Sequence, residues 1–155
     1  MIEAPTWVAQ AITRFVFDLS KVYMIGMGLL LLAGGQQRMS GPAYYTLTTW
    51  APWWVWGGTM LLLGVYSLIP FLMVRLACYT LAAAWFWVWE AAVVVNAFNE
   101  TALLAAMPNA PRPGWTAISA YGFSATLFTA MAVAMWLDRA GKGGGWLSTK
   151  WREES

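Results

Sequence analysis

Long apolar runs alternate with short polar segments along the chain. Runs of this length and low charge are typical of helices that cross a membrane, whose hydrocarbon core needs about 20 apolar residues. The longest run, 53–96, would make a straight helix of about 66 Å, twice the thickness of a bilayer. Because Pro70 starts a helix well and continues one badly, we place a turn there. The pattern thus predicts four spans, at about 15–33, 52–68, 71–96 and 117–137.

The two ends of the chain have different patterns. In residues 1–21, apolar residues recur at helical spacing against Arg14, Asp18 and Lys21, which can pair along one face of a helix. Such a segment lies at the membrane interface as an amphipathic helix or forms the water-exposed end of the first span, and both interpretations stay open. At the other end, the glycines of "AGKGGG" predict a flexible tail.

The composition agrees with a membrane location. Of the 155 residues, 60% are hydrophobic and 10% are charged, whereas soluble domains carry roughly 25% charged residues. We therefore predict an all-α integral membrane protein, a four-helix bundle with an amphipathic N-terminal segment and a flexible C-terminal tail. The membrane domain would comprise 1–137 and the cytoplasmic tail 138–155, with the lipid bilayer as the first partner.

The basic residues predict the orientation. Four spans place both termini on one side, and lysine and arginine concentrate in the cytoplasmic loops of membrane proteins. The side with the termini would carry Arg14, Lys21, Arg75, Arg139, Lys142, Lys150 and Arg152, and the other side only Arg38 and Arg112. We therefore expect both termini in the cytoplasm.

Tryptophan is unusually frequent, with 12 residues. Its ring is apolar and its N–H is polar, so it favours the headgroup layer of a membrane. In a hairpin that turns at Pro70, the start of the second span and the end of the third meet at the same depth. We therefore expect interfacial anchors at these two places, namely Trp53, Trp54, Trp56, Trp85, Trp87 and Trp89.

The residues that are missing disfavour several classes of function. Histidine is absent and cysteine occurs once, as Cys78, which removes the commonest general base and the commonest metal ligand. We therefore expect no enzyme activity, no cofactor and no metal site. The net charge of +2 includes no basic cluster that would follow a phosphate backbone, so nucleic acid is not an expected partner.

Two charged residues inside the predicted third span are candidate functional groups. Glu90 would lie about 9 Å below the outer loop. It is paired with Arg38, Arg112 or an indole N–H, or else it faces a pore or an oligomer contact, and both interpretations stay open. Arg75 lies one turn into the span, either as a cytoplasmic anchor that reaches the surface or as the buried partner of a carboxylate.

The predicted fourth span has a periodic feature of its own. Small residues recur there at every fourth position, namely Gly122, Thr126, Ala130 and Ala134. Small side chains let two helices approach closely, which is a main cause of helix association in lipid. This small-residue stripe either packs within the chain's own bundle or joins copies in a homo-oligomer.

The segment 29–66 carries a recognisable pattern. An apolar span ends in Gly-Gly, an Arg-x-Ser-x-Pro-x-Tyr loop follows, and Pro-Trp-x-x-Trp-Gly opens the next span. This pattern resembles small membrane proteins of actinobacterial bacteriophages that are encoded near the lysis genes and are commonly called holins or holin-like proteins. Such proteins accumulate in the cytoplasmic membrane, oligomerise and open lesions that release or activate the endolysin.

The resemblance implies a holin-like protein that oligomerises in the cytoplasmic membrane and forms or regulates a pore. No individual functional residue follows from it. Two alternatives remain open at this point. The first is an ion channel or a membrane-disrupting defence effector, and the second is a non-enzymatic accessory or superinfection-exclusion protein that binds another membrane protein.

Overall fold

The computed structural model describes residues 6–40, 44–99 and 115–140. All regular secondary structure in these residues is helical. The five helices are α1 (Thr6–Arg38), α2 (Tyr45–Trp50), α3 (Trp53–Tyr66), α4 (Leu72–Phe98) and α5 (Trp115–Arg139). The all-α class is therefore confirmed for this part of the chain, while most of the predicted tail lies outside the described residues.

Three segments are long and apolar enough to cross a membrane, namely Gln10–Gln37, Leu72–Phe98 and Ser119–Arg139. They indicate a membrane protein. The predicted second span, 52–68, is instead α3, a helix of only 14 residues and about 21 Å. Extended Pro52 precedes α3, and at its other end Ser67 donates its hydroxyl to the carbonyl of Gly64 at 2.6 Å. The described residues therefore contain three long apolar helices and the shorter α3, and the four-helix membrane bundle stays a prediction.

The amphipathic N-terminal segment is the first part of α1 and not a separate interfacial helix. On its exposed face Lys21 donates to the carboxylate of Asp18 at 2.8 Å. The helix is interrupted at Gly35, whose φ of +54° and ψ of −152° form a conformation that favours glycine. The predicted end of the first span at Gly34–Gly35 is therefore present as a kink, after which the chain continues in a new direction to Arg38.

α1 and α3 pack against each other as an antiparallel pair through glycines. A β-carbon on Gly28 would lie 2.5 Å from the backbone nitrogen of Leu61, and one on Gly64 would lie 2.8 Å from the backbone nitrogen of Ile25. Since real β-carbons do not approach so closely, the two backbones meet only because these positions lack side chains. Sequence reasoning misses this contact, although Gly57 and Gly64 are seven positions apart and thus lie on one face of α3.

α4 and α5 form the second antiparallel pair, and aromatic side chains join it to the first. The rings of Tyr79, Phe86, Trp89 and Phe128 are at most 1% exposed. Phe86 stacks on Phe128 with ring centroids 5.1 Å apart, and Tyr23 of α1 stacks on Phe86 at 5.8 Å. Because such rings are large and interlocked, the described core is filled by side chains and leaves no aqueous channel at this level.

Replacing Gly28 by alanine is expected to destabilise the protein. The new β-carbon would meet the backbone of Leu61 at 2.5 Å, so α1 and α3 must separate, at a cost of about 1–3 kcal/mol. Thermal unfolding in detergent, followed by tryptophan fluorescence, measures this cost as a lower Tm. Gly26→Ala is the matched control, because nothing lies within 4 Å of a β-carbon there. Equal melting temperatures of the two variants would contradict the close packing.

Candidate functional site

Glu90 lies on α4 beside Gly122 of α5. A β-carbon on Gly122 would be 3.2 Å from Oε1 of Glu90 and 3.4 Å from its Cδ. The carboxyl group therefore rests in the space that the missing side chain leaves, close to the backbone of α5. Glu90 is about 12 Å from the end of α4 at Phe98, slightly deeper than predicted because α4 extends beyond Asn96.

One oxygen of this carboxyl group has no hydrogen-bond partner. Glu90 is partly buried, and its Oε2 is shielded from solvent but accepts no hydrogen bond from the described residues. Among the expected partners, Arg112 and the side chain of Arg38 lie outside the described part of the chain. The indole N–H of Trp87, one turn away, donates instead to Oγ1 of Thr129 at 3.0 Å. The backbone of Gly122 supplies a hydrogen bond to the carboxyl group, so Oε2 is the oxygen left without a partner, and an ionisable group in a predicted span is a candidate functional site.

The small-residue stripe divides into two parts. Gly122 packs against Glu90, whereas Thr126, Ala130 and Ala134 are exposed on the outer surface of α5. The hydroxyl of Thr126 donates to the carbonyl of Gly122 at 2.8 Å, so it is bonded within its own helix. Packing inside the chain thus applies to Gly122, while the other three residues are exposed in the described structure. We call the surface formed by Glu90, Gly122, Thr126, Ala130 and Ala134 the Glu90 edge.

The predicted tryptophan anchors separate into exposed and buried residues. Trp54 and Trp87 are 58% and 49% exposed. Trp85 and Trp89 are 6% and 0% exposed and stack on each other with centroids 4.4 Å apart, so these two are not outward-facing anchors. Trp56 packs edge-on against both, at 6.3 and 6.1 Å. Trp56 of α3 and the two buried tryptophans of α4 therefore meet at one depth, as the hairpin predicts, but inside the protein.

This tryptophan cluster also lies deeper than the headgroup layer would require. Trp85 is about 20 Å from the end of α4 at Phe98, near the middle of a helix of 27 residues. Within the described residues, the indole N–H groups of Trp85 and Trp89 have no hydrogen-bond partner. The size of the two indole rings explains their position, because the rings fill the gap between the two helix pairs. This packing outweighs the preference of the N–H group for the membrane interface.

Arg75 has a local role in the turn between α3 and α4. Its residue is 8% exposed, and its Nε donates to the carbonyl of Ile69 at 2.9 Å. Ile69 belongs to the non-helical segment 67–71. Irregular backbone near lipid is tolerated where the protein itself satisfies the polar groups, and Arg75 supplies such a bond. The burial of Arg75 argues against an anchor that extends to the membrane surface.

Hydroxyl and amide side chains join the elements at several levels that sequence reasoning misses. The pairs are Ser20 with Tyr79 at 2.8 Å, Tyr23 with Ser124 at 3.2 Å, Tyr44 with Tyr121 at 2.8 Å, and Thr46 with Asn96. In lipid, interhelical hydrogen bonds of this kind contribute to association. The signal in the sequence was the occurrence of these polar residues within apolar runs, where each must find a partner in the protein.

Arg75→Lys is expected to destabilise the turn although it keeps the charge. Lysine places a methylene group where Nε stands, so the carbonyl of Ile69 loses its donor, at a cost of about 1–3 kcal/mol. Thermal unfolding in detergent measures the change. Arg139→Lys is the control, because Arg139 is exposed at the end of α5 and its substitution is expected to cost at most about 0.5 kcal/mol. A Tm of Arg75→Lys equal to that of wild type would refute this role.

Comparison with known proteins adds no assignment. No family model, no curated protein and no solved structure matches the chain. What the protein does must therefore be inferred from its own residues, above all from the Glu90 edge.

Proposed function

We propose that this protein is a holin-like protein of the bacterial cytoplasmic membrane that oligomerises and forms or regulates a pore between its copies. The observation that carries this proposal is the Glu90 edge. There a carboxyl group with an unpartnered oxygen lies beside a band of small residues that are exposed on α5. The pattern in 29–66 that resembles phage holin-like proteins supports the same class.

The packing of the core favours a pathway between copies over one through a single copy. The buried rings of Tyr79, Phe86 and Phe128 form a stack that links α4 to α5, with centroid distances of 5.1–5.9 Å. Opening a channel there would require large rings to leave a packed core, at several kcal/mol for each ring. A pathway along the outer face of α4 and α5 needs no such change.

The Glu90 edge has the properties of a surface that another copy covers. Thr126, Ala130 and Ala134 let a second helix approach α5 closely, and in lipid such packing is a main cause of association. A partly exposed carboxylate is costly beside lipid chains but is stable when it faces a water-filled space. Assembly through this edge would place Glu90 next to that space.

The proposed threading has α3 cross the membrane together with the segment that follows it. Leu68 and Phe71 in that segment are 55% and 67% exposed, so the apolar surface continues beyond the last turn of α3. Arg75 bonds the carbonyl of Ile69 within the same segment. Both termini then lie on one side, and the excess of basic residues there supports a cytoplasmic location.

Ala130→Leu is expected to weaken the oligomer without unfolding the monomer. The side chain of Ala130 is exposed in a single copy, so the larger leucine is tolerated there but keeps a second helix at a distance. We expect the dissociation constant in mild detergent, measured by light scattering during size exclusion, to rise at least about ten-fold, which is 1.4 kcal/mol.

The matched control is Thr59→Leu, which is exposed on α3 away from the Glu90 edge and should leave the dissociation constant unchanged. A wild-type protein that is monomeric on its own but binds a second membrane protein on pull-down would instead favour the accessory or superinfection-exclusion function. A stable oligomer that Ala130→Leu does not affect would exclude the Glu90 edge as its interface.

Glu90→Gln is expected to lower cation conductance in liposomes that contain the purified protein. A unit charge attracts a cation 4 Å away in water by about 1 kcal/mol, so its removal lowers the local cation concentration about five-fold. Glu90→Asp keeps the charge and is the control. Flux of K⁺ and Cl⁻ measured separately shows whether selectivity falls with the charge. If both variants conduct like wild type, Glu90 does not line the pathway.

A further inference from the structure

A cavity of about 370 Å³ lies at the end of the molecule where α1 turns over α2 and the start of α3. Its volume is within the range of sites that bind small molecules. The residues that line it come from three elements and are separate from the Glu90 edge. They are Gln36, Met39 and Ser40 after the kink of α1, Thr48 of α2, and Pro52, Trp53 and Trp54 at the start of α3.

The walls of this cavity are held in place by specific contacts. The chain leaves the long part of α1 through the kink at Gly35, whose φ is +54°, and the fully buried Met39 lines the cavity. The indole N–H of Trp56 lies 3.1 Å from the carbonyls of both Leu47 and Ala51, which fixes α2 to the start of α3. The cavity is therefore part of the folded structure and not a gap between loose segments.

The described lining residues offer hydrogen bonds and carry no charge. The amide of Gln36 and the indole N–H groups of Trp53 and Trp54 bond to none of the described residues, so they are available as donors. The hydroxyls of Ser40 and Thr48 donate to the carbonyls of Gln37 and Tyr45 at 2.7 and 2.8 Å. Their oxygens are therefore left as acceptors towards the cavity.

We propose that this cavity binds a neutral glycosyl group. A sugar ring carries hydroxyl donors and acceptors around its edge and C–H groups on its faces. The edge matches the amide and hydroxyl groups of the lining, and the C–H face matches the flat indole surface of Trp54, which is 58% exposed. None of the seven described lining residues is charged, so these residues supply no counter-ion for a phosphate or for an ammonium group.

The glycosyl group can come from two sources. Trp53 and Trp54 open α3. Tryptophan favours the headgroup layer of a membrane, and a glycolipid presents its sugar in that layer. A free saccharide in solution has the same chemistry. This binding site goes beyond the proposed pore function and does not depend on it.

The test uses the full-length protein in phosphatidylcholine nanodiscs that contain equal amounts of monoglucosyl diacylglycerol and diacylglycerol. Native mass spectrometry then measures which lipid stays bound. We expect the glucosyl lipid to be retained at least about five-fold more than diacylglycerol, because its hydroxyl groups bond to the lining. Trp54→Ala and Gln36→Leu should each remove at least about five-fold of that preference, since they delete the ring face and the amide.

Trp136→Ala is the matched control, because Trp136 is similarly exposed, at 60%, but lies near the opposite end of the molecule. It should keep the preference. Retention of phosphatidylcholine or of added phosphatidylglycerol in place of the glucosyl lipid overturns the proposal, as does a Trp54→Ala variant with full preference. Competition by soluble methyl glucoside assigns the site to a free sugar, and retention without competition assigns it to a lipid headgroup.

Discussion

Lipid offers no hydrogen bonds, so polar groups inside a membrane protein must find their partners within the protein. The turn between α3 and α4 follows this constraint, because the carbonyl of Ile69 accepts from Arg75. So does the contact between α1 and α4, where Tyr79 bonds to Ser20. A few buried polar atoms among the described residues have no hydrogen-bond partner. Three orphan atoms, the indole nitrogens of Trp85 and Trp89 and Oε2 of Glu90, fall within two turns of α4.

The helices pack together in two different ways. α1 and α3 meet backbone to backbone, since Gly28 and Gly64 leave no room for a β-carbon. Between the two pairs the spacing is wide, and rings such as Phe86 and Trp89 fill it completely. The first kind of packing brings the backbones of α1 and α3 close together. The second fills the space beside α4 with side chains.

Much of the helical architecture follows from the sequence, because hydropathy and the turn residues at Gly35 and Pro70 decide where long apolar helices begin and end. Other features depend on neighbours in space. The amphipathic ring of Trp89 predicts a position at the membrane surface. In the structure this large ring instead fills the gap between the helix pairs. The position of the short helix α2 also depends on its neighbours in space. Its buried Leu47 docks on the rest of the protein, a contact that the polar pattern of "YYTLTTW" does not indicate.

The candidate site also depends on a contact in space that the sequence does not predict. In the sequence, Glu90 and the small-residue stripe are two separate features on two helices. In the structure, the absence of a side chain at Gly122 is what lets the Glu90 carboxyl group lie against α5. The first residue of the stripe therefore positions the carboxylate, and the remaining three continue along the surface away from it. The Glu90 carboxyl group and the exposed residues Thr126 and Ala130 therefore belong to one continuous surface of α4 and α5.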